Sequence, residues 1–321
     1  MKKDSRSLIF ALPILVLALA ATIMRTVACF IHIDYDSGFF GNTVLVHIAD
    51  YLLVAVVLVL FVYLFIKVEK KSPMPSFSGP AVYLPNGVLA MALLFLAAEL
   101  IGYVSGDGDE FFALLFSDRS RIVALATAIF ALVTIAYLAL VVFVTAPRSL
   151  LRAEFGMLAS LFFGLYTTFV FFRSGAPINQ PQRILTEMTA LSAALFFLEE
   201  TRISLGRERW RGYFVLGALT SILSLYTAFP ALLVYLFKGE MISTSIAELI
   251  FILALLVFSA SRLIHTAKLS DGTPSPLAAA IDASAVLHTV EETYDDGLSQ
   301  ISIEDVAYDE RQAENEEDTG N

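Results

Sequence analysis

Apolar segments long enough to cross a lipid bilayer recur along most of the chain. A helix needs about 20 predominantly apolar residues to cross a hydrocarbon core of about 30 Å, because no water inside the core can satisfy backbone polar groups. Eight such segments lie at approximately residues 8–30, 43–66, 86–104, 122–145, 154–173, 184–200, 212–237 and 245–264. The sixth is the shortest and the most polar. The sequence therefore predicts an all-α integral membrane protein, a bundle of about eight transmembrane helices in contact with lipid.

Basic residues between these segments are distributed unequally over the two sides of the predicted membrane. If the N-terminus lies inside, 14 Lys and Arg residues fall on the inner side and 5 on the outer side. An excess of Lys and Arg marks the cytoplasmic side of membrane proteins. We therefore expect both termini to be cytoplasmic. The first segment is longer than the apolar part of a signal peptide and has no clear cleavage site, so we expect it to be retained as an anchor.

The composition of the chain changes near residue 269. Residues 269–321 contain 14 of the 31 acidic residues and one basic residue, Arg311, so they carry a formal charge of −13, whereas residues 1–268 carry +3. Dense acidic sequence with few aromatic residues is typical of disordered segments. We expect a transmembrane helical bundle over residues 1–268 and an acidic, mostly disordered cytoplasmic tail over residues 269–321.

Composition and motifs disfavour several classes of function. The net charge of −10 argues against nucleic-acid binding by a basic domain, and the single cysteine, Cys29, excludes a disulfide framework. The sequence contains none of the signatures H-E-x-x-H, G-x-S-x-G, G-K-[ST] and G-x-G-x-x-G, which mark zinc proteases, serine hydrolases, phosphate-binding loops and dinucleotide-binding folds. It therefore identifies no catalytic residue and no cofactor.

Six Arg, His, Asp or Glu side chains lie about one turn or more inside the predicted segments, all in the half of the bundle that we place outside. They are Arg25, His47, Asp50, Glu99, Glu187 and Glu248. At 1.5 Å per residue they lie roughly 5–11 Å below the outer boundary. A charged group in the membrane costs roughly 2.5–3.5 kcal/mol on insertion scales, so such groups usually face the bundle interior and mark a function or a specific pairing.

Five of these residues form our predicted ligand-binding site, an acidic cavity open to the outside and lined by Arg25, His47, Asp50, Glu99 and Glu187. His47 and Asp50 are three residues apart, which places them on one helix face. Structural alternatives exist for several of them. Arg25 pairs with Asp50 or Glu99 as an internal fastener in one alternative, and Glu99 and Glu187 reach interfacial water in another.

Glutamates near the segment ends have simpler interpretations. Glu248 follows Ser245 by three residues, which is the spacing of a capping box. In the inner half of the predicted bundle the charges lie only near segment boundaries, and they include Glu199, Glu200 and Arg262. We expect Glu199 and Glu200 to pair with the arginines of the connection that follows them.

Metal binding is left open by the sequence. His32, Asp34 and Asp36 alternate in the first outer connection, and His47 and Asp50 follow on the next helix. Imidazole and carboxylate groups are suitable ligands for a divalent metal. The acidic stretch at residues 106–110 lacks the twelve-residue calcium-loop pattern, and we interpret it as a solvated turn.

The string Asp34-Tyr35-Asp36-Ser37-Gly38-Phe39-Phe40 resembles an acid-x-acid-[ST]-G-F-F outer loop in uncharacterised polytopic membrane proteins of clostridial bacteria. The resemblance covers these seven residues and the general order of apolar segments. It implies a bacterial cytoplasmic membrane as the setting and no particular activity.

Two functions compete at this stage. The first is binding or transport of a small solute or ion through the predicted outer cavity. The second is a non-catalytic membrane scaffold or regulatory subunit whose acidic tail recruits a cytoplasmic protein. Enzyme action on a membrane-bound substrate ranks third, because the sequence offers no recognisable nucleophile or acid–base pair.

Overall fold

A computed structural model describes residues 5–35, 37–67, 80–105, 119–143, 149–173, 177–207, 209–242 and 245–270. Within these ranges the chain forms eight α-helices. They are α1 (Ser5–Ile31), α2 (Val44–Lys67), α3 (Pro80–Ser105), α4 (Arg119–Phe143), α5 (Leu150–Phe172), α6 (Pro181–Ser204), α7 (Trp210–Lys238) and α8 (Ile246–Ser270). The predicted tail over residues 269–321 lies almost entirely outside the described residues.

Each predicted apolar segment contains one helix, and two helices extend well beyond the prediction, by six residues at one end. The third helix begins at Pro80 rather than near residue 86, and the eighth ends at Ser270 rather than near residue 264. Pro85, which precedes the predicted start of α3, lies inside the helix, where a proline near the helix start removes few hydrogen bonds. The added residues of α8 are mostly polar, and a hydropathy pattern does not include them.

Six of the eight helices are long and apolar enough to cross a membrane. These six are α2, α3, α4, α5, α7 and α8. The described apolar part of α1, Val16–Ile31, is shorter. Helix α6 has 24 residues, but polar and charged side chains lower its hydropathy. The structure therefore identifies an α-helical membrane protein, and length and composition support six of the eight predicted crossings.

Six helices form a closed ring in the order of the sequence. Each helix from α3 to α8 packs on the next, and α8 packs back on α3. Helices α1 and α2 pack on each other and against α7, outside the ring. Helix α6 is thus a ring member with α5 on one side and α7 on the other. Most of its side chains are buried in the protein, which explains how a polar helix takes part in an apolar bundle.

Phenylalanine side chains fill the middle of the ring. We call the following six buried residues the aromatic block: Phe162, Phe163, Phe196, Phe197, Phe251 and Phe258. The ring centroids of Phe163 and Phe251 are 5.9 Å apart, and those of Phe197 and Phe258 are 5.3 Å apart. These contacts join α5 and α6 to α8 across the ring, so the middle of the ring is packed with side chains rather than open.

Glycines allow α6 to approach its neighbours closely. A Cβ atom added at Gly156 of α5 would lie 2.6 Å from the hydroxyl oxygen of Thr201 on α6. A Cβ atom added at Gly217 of α7 would lie 2.8 Å from the ring of Phe196 on α6. Small residues at helix contacts let the backbones approach closely, which strengthens van der Waals packing in membranes, where the hydrophobic effect does not drive helices together.

The bundle has two ends, each with polar contacts between helices. At one end, which we call the first-loop end, Lys238 donates a hydrogen bond to the carbonyl of Phe30, so α7 ends where α1 ends. Residues 32–43 connect α1 to α2 at this end. At the opposite end, Asn86 near the start of α3 donates to the carbonyl of Leu138 near the end of α4.

Candidate functional site

Arg25 forms the centre of one polar network at the first-loop end. Its side chain is only 1% exposed, and its Nη1 atom lies 3.7 Å from Oδ1 of Asp50. Its Nη2 atom donates to Oε1 of Gln182 at 3.2 Å, and Tyr226 donates to Oδ1 of Asp50 at 2.6 Å. These contacts, which we call the Arg25 network, tie the α1–α2 pair to ring helices α6 and α7. The predicted pairing of Arg25 with Asp50 is confirmed.

The space around Arg25 is occupied by protein groups. The guanidinium lies 5.0 Å from the ring centroid of Tyr226 and 5.8 Å from that of Phe40. Phe40 belongs to the first connection, which is held against α6 by a hydrogen bond from Gln180 to the carbonyl of Ser37. The Asp50 side chain is 43% exposed. Arg25 is therefore enclosed by protein groups, whereas its partner Asp50 is accessible from the surface of the protein.

His47 lies away from this network. Its side chain is exposed on α2, and its ring centroid is 6.4 Å from that of Tyr51. Three residues of helix turn a side chain by about 300°, which leaves His47 and Asp50 about 60° apart around the helix axis. That angle is enough to direct Asp50 to Arg25 while His47 stays on the uncovered surface of α2.

Glu99 belongs to a second network at the same end, which also contains Arg173, Ser245 and Glu248. Arg173 Nη1 lies 2.7 Å from Oε2 of Glu248, whose side chain is 2% exposed. The backbone N–H of Glu248 donates to Oγ of Ser245 at 3.0 Å, so the predicted cap is present. The Glu99 carboxylate interacts with Ser245 and lies near Glu248 and Arg173. We call these four residues the Glu248 network.

Glu187 has a partner on its own helix. Its Oε1 atom lies 3.6 Å from Nε of Arg183, one turn earlier on α6. Arg183 also donates to the carbonyl of Phe171 on α5. The five predicted site residues thus do not line one cavity: Arg25 and Asp50 belong to one network, Glu99 to another, Glu187 pairs with Arg183, and His47 is exposed on α2. Sequence spacing gives the position of a residue along its helix, but it does not say which neighbouring helix that residue contacts.

A third network lies inside the ring at the opposite end. The Glu200 side chain is fully buried, and its Oε1 atom lies 3.3 Å from Nε of the buried Arg262. Tyr137 donates to the other carboxylate oxygen of Glu200 at 3.1 Å. Arg262 Nη2 donates to Oδ1 of Asn86 at 3.1 Å. These four residues, the Glu200 network, join α3, α4, α6 and α8.

The expectation for Glu200 was wrong, and the expectation for Glu199 was right. Glu199 pairs with Arg202 near the end of α6, whereas Glu200 pairs with Arg262 of α8 rather than with an arginine of the following connection. One residue turns a helix by about 100°, so adjacent glutamates meet different surroundings. Glu199 remains near the helix end, and Glu200 enters the ring.

The Glu200 network was not predicted, partly because α3 begins earlier and α8 ends later than the sequence indicated. With α3 starting at Pro80 and α8 ending at Ser270, Asn86 lies about 9 Å and Arg262 about 12 Å from their helix ends. The prediction placed both residues near the boundary of the membrane. An asparagine and a tyrosine inside otherwise apolar segments, Asn86 and Tyr137, were the available signal for a buried polar site.

Metal-binding groups do not gather in the part of the chain that the structure describes. No cluster of three or more His, Cys, Asp or Glu side chains there is arranged to hold a metal ion. Asp36 and the acidic stretch at residues 106–110 lie outside the described residues. Cys29 is buried and carries no disulfide.

Comparison of the chain with protein-family models, with curated proteins and with solved structures found no match. The arguments for function therefore come from the geometry of the three networks. Two of them include ring helices at the first-loop end, the third closes the opposite end, and the aromatic block lies between.

A pair of α2 variants tests whether Asp50 holds Arg25 in place. Asp50→Asn removes the counter-charge of a buried guanidinium, so we expect a loss of about 2 kcal/mol in stability. His47→Ala changes an exposed side chain on the same helix and should leave stability nearly unchanged. Thermal unfolding of the purified protein in detergent measures both. Equal melting temperatures for the two variants would contradict this assignment.

Proposed function

We propose that this membrane protein binds a small solute or ion and moves it through the six-helix ring. The observation that carries the proposal is the presence of buried ion pairs at both ends of the same ring. Helix α8 supplies Glu248 to the pair at the first-loop end and Arg262 to the pair at the opposite end. A shift of α8 would therefore affect both pairs together.

The energetics of buried ion pairs support a role beyond stability. Replacing a buried pair with apolar residues of similar volume is often neutral or stabilising, because both charges lose hydration when they are buried. Ionisable groups inside membrane helices typically mark substrate or ion pathways. A bundle that needed only to be stable would therefore have no need of charges at Glu200 and Arg262.

In this proposal the aromatic block separates the two ends of the ring, so that one end opens while the other stays closed. The ring is closed by Arg173–Glu248 at one end and by Glu200–Arg262 at the other, with phenylalanine rings packed between them. A solute passes such a ring only if the two ends open in turn. Movement of one group of helices against another is a common way to achieve alternating access.

In this proposal the five residues predicted from the sequence have different roles. Glu99 is an exposed residue of α3 beside Arg173 and Glu248. Arg25 and Asp50 fasten the α1–α2 pair to α6 and α7. Glu187 pairs with Arg183 near the start of α6, and His47 is exposed on α2.

We further propose that all eight helices cross a bacterial cytoplasmic membrane with both termini inside. The excess of Lys and Arg, 14 against 5, supports this orientation. Helix α6 is less apolar than a lipid-facing helix, but each of its three glutamates has an ion-pair partner. Glu187 pairs with Arg183, Glu199 with Arg202 and Glu200 with Arg262. The first-loop end is then the outer end.

Fusions to reporter proteins test this orientation. Alkaline phosphatase folds only outside the cytoplasm, so we expect activity from a fusion after Glu240 and none from a fusion after Gly206. Green fluorescent protein attached at the C-terminus should fluoresce, because that end is proposed to be cytoplasmic. Phosphatase activity after Gly206 with none after Glu240 would reverse the orientation, and activity at both positions would remove a crossing.

Flux into proteoliposomes tests transport. The probes are Na⁺, K⁺, Cl⁻, phosphate and a set of radiolabelled amino acids and organic acids. We expect the protein to pass at least one probe faster than empty vesicles do. The double variant Glu200→Gln with Arg262→Met removes both charges without leaving one unpaired, so it should stay folded and lose flux. Glu199→Gln, which changes a glutamate beside it that pairs near the helix end, is the matched control and should retain flux.

Two outcomes would contradict transport. One is equal flux in the double variant and in the wild type, which would place the pathway elsewhere. The other is that no probe crosses in any variant. The second result would favour the alternative function, a scaffold that recruits a cytoplasmic protein through residues 269–321. Their formal charge of −13 suits a basic partner, and deletion of these residues should then abolish partner capture.

A further inference from the structure

Hydroxyl side chains form a line over the middle of α7. Ser221, Ser224 and Thr227 follow one another at intervals of three residues. Three residues turn a helix by about 300° and advance it by about 4.5 Å, so each hydroxyl lies about 60° around the axis from the previous one. Ser224 and Thr227 are fully buried in the protein. The line therefore extends about 9 Å along the interior side of α7.

Helix α6 places polar side chains opposite this line. Oγ1 of Thr189 lies 3.2 Å from Oγ1 of Thr227, and Nε2 of Gln182 donates to the carbonyl of Thr227 at 3.1 Å. Thr186 is buried and shares a face of α6 with Gln182 and Thr189, because it lies four residues after the first and three before the second. We call the following six residues the α6–α7 seam: Gln182, Thr186, Thr189, Ser221, Ser224 and Thr227.

The α6–α7 seam joins the polar networks of the two ends of the bundle. At the first-loop end, Gln182 accepts a hydrogen bond from Arg25 at 3.2 Å. Towards the opposite end, Oγ of Ser221 lies 2.8 Å from Oγ of Ser259 on α8. Arg262 of the Glu200 network follows Ser259 by about one helix turn. Polar side chains therefore continue from the Arg25 network to the Glu200 network.

Two hydroxyls of the seam have no partner of their own. Thr189 and Ser221 donate to carbonyls one turn earlier in their own helices. The hydroxyls of Thr186 and Ser224 are buried and have no hydrogen-bond partner among the described residues. Burying a hydroxyl without a hydrogen bond is costly, because the group has lost its contacts with water. Thr186 lies one turn from the contact between Thr189 and Thr227 on the side of the first-loop end, and Ser224 lies one turn from it on the other side.

We propose that the α6–α7 seam binds small uncharged polar molecules, of which water is the smallest and glycerol is a larger example. A hydroxyl donates one hydrogen bond and accepts others, so Thr186 and Ser224 each offer such a molecule a donor and an acceptor. Water inside proteins makes about three hydrogen bonds to groups that are otherwise unsatisfied. The hydroxyls of Thr189 and Thr227 lie between the two. A molecule in the seam thus has successive partners from one end to the other.

The charge distribution favours an uncharged ligand over an ion. None of the six seam residues is charged, and the ion pairs Arg25–Asp50 and Glu200–Arg262 at its ends each have a formal charge of zero. An ion in the seam would lose its hydration without meeting an opposite charge, whereas an uncharged molecule exchanges hydrogen bonds with water for hydrogen bonds with hydroxyls. The inference names the substrate class for the proposed transport and rests on that proposal for its purpose, although entry into the seam is measurable without transport.

Cysteine labelling of the full-length protein in detergent measures entry into the seam. Ser224→Cys is made together with Cys29→Ala, so that the chain has one thiol. The probes are iodoacetamide, a small uncharged polar reagent, and iodoacetate, its anionic counterpart, with rates expressed relative to free cysteine. The matched control is Thr134→Cys with Cys29→Ala, because the buried Thr134 of α4 lies outside the seam and donates to a carbonyl of its own helix. We expect iodoacetamide to label Ser224→Cys about tenfold faster than the control, since a packed thiol reacts only when the bundle opens locally, and iodoacetate to label both slowly.

A pair of valine variants on α6 separates a ligand-binding hydroxyl from a structural one. Valine removes the hydroxyl of threonine and keeps nearly the same shape. Thr186→Val should leave the melting temperature unchanged or raise it, because the hydroxyl that it removes has no partner. Thr189→Val should lower the melting temperature, because Thr189 donates to the carbonyl of Leu185 and contacts Thr227. A lower melting temperature in Thr186→Val would show a structural hydroxyl and contradict the proposal.

Light scattering from proteoliposomes follows passage through the seam. An external excess of glycerol reports the entry of glycerol, and an external excess of sucrose, which stays outside, reports the exit of water alone. We expect wild-type vesicles to pass glycerol or water faster than empty vesicles. Thr186→Val should lose most of this gain, and Thr134→Val, the control on α4, should keep it.

The proposal is overturned if iodoacetamide labels Ser224→Cys no faster than Thr134→Cys, or if iodoacetate labels Ser224→Cys as fast as iodoacetamide does. Failure of transport gives a different pattern, because preferential labelling of Ser224→Cys would then persist in a protein whose vesicles pass no probe. Flux of ions without entry of iodoacetamide would retain the proposed transport and reject the seam.

Discussion

Polar and charged side chains at membrane depth must find partners within the protein, because the hydrocarbon core offers neither water nor counter-ions. This constraint accounts for the position of α6. The helix carries glutamates and arginines that exclude it from the set of apolar helices, yet it lies between α5 and α7 with most of its side chains buried. Its neighbours supply polar partners that lipid cannot. Arg262 of α8 and Tyr137 of α4 contact the Glu200 carboxylate, and the carbonyl of Phe171 on α5 accepts a hydrogen bond from Arg183.

The same constraint divides the bundle into layers. Ion pairs lie at the two ends of the ring, and the aromatic block lies between them. Close approach of α6 to α5 and α7 at Gly156 and Gly217 brings the polar groups of α6 within reach of their partners. Helices α1 and α2 stand outside this arrangement and are fastened to it by Arg25, which contacts groups on α2, α6 and α7.

The sequence predicted the helices well because hydropathy reports them directly. Each apolar segment became a helix, and the pairing of Glu199 with Arg202 followed from charge and proximity along the chain. For Arg25 the sequence left two partners open, Asp50 and Glu99, and the structure pairs it with Asp50. The networks were harder to predict for two physical reasons. Partners such as Glu200 and Arg262 are far apart in sequence, and their meeting depends on the order of helices around the ring, which hydropathy does not encode.

The second reason is that helix ends do not coincide with the ends of apolar runs. Asn86 and Arg262 lay near predicted boundaries because Pro85 and the polar residues after 264 ended the apolar pattern, whereas the helices continue. Residues that belong to a buried site were thus assigned to a membrane surface. Glu99 and Arg25, which were predicted to line one cavity, belong to different networks.

The central claim of this account is that the buried charges of Glu200 and Arg262 inside the ring pair with each other. A double-mutant cycle on Glu200 and Arg262 measures this most directly, with Glu200→Gln, Arg262→Met and the double variant compared by reversible unfolding in detergent. The account predicts that each single change destabilises the protein by about 3 kcal/mol and that the double change costs clearly less than the sum, because breaking a buried pair leaves one charge uncompensated. Additive effects of the two changes would contradict it.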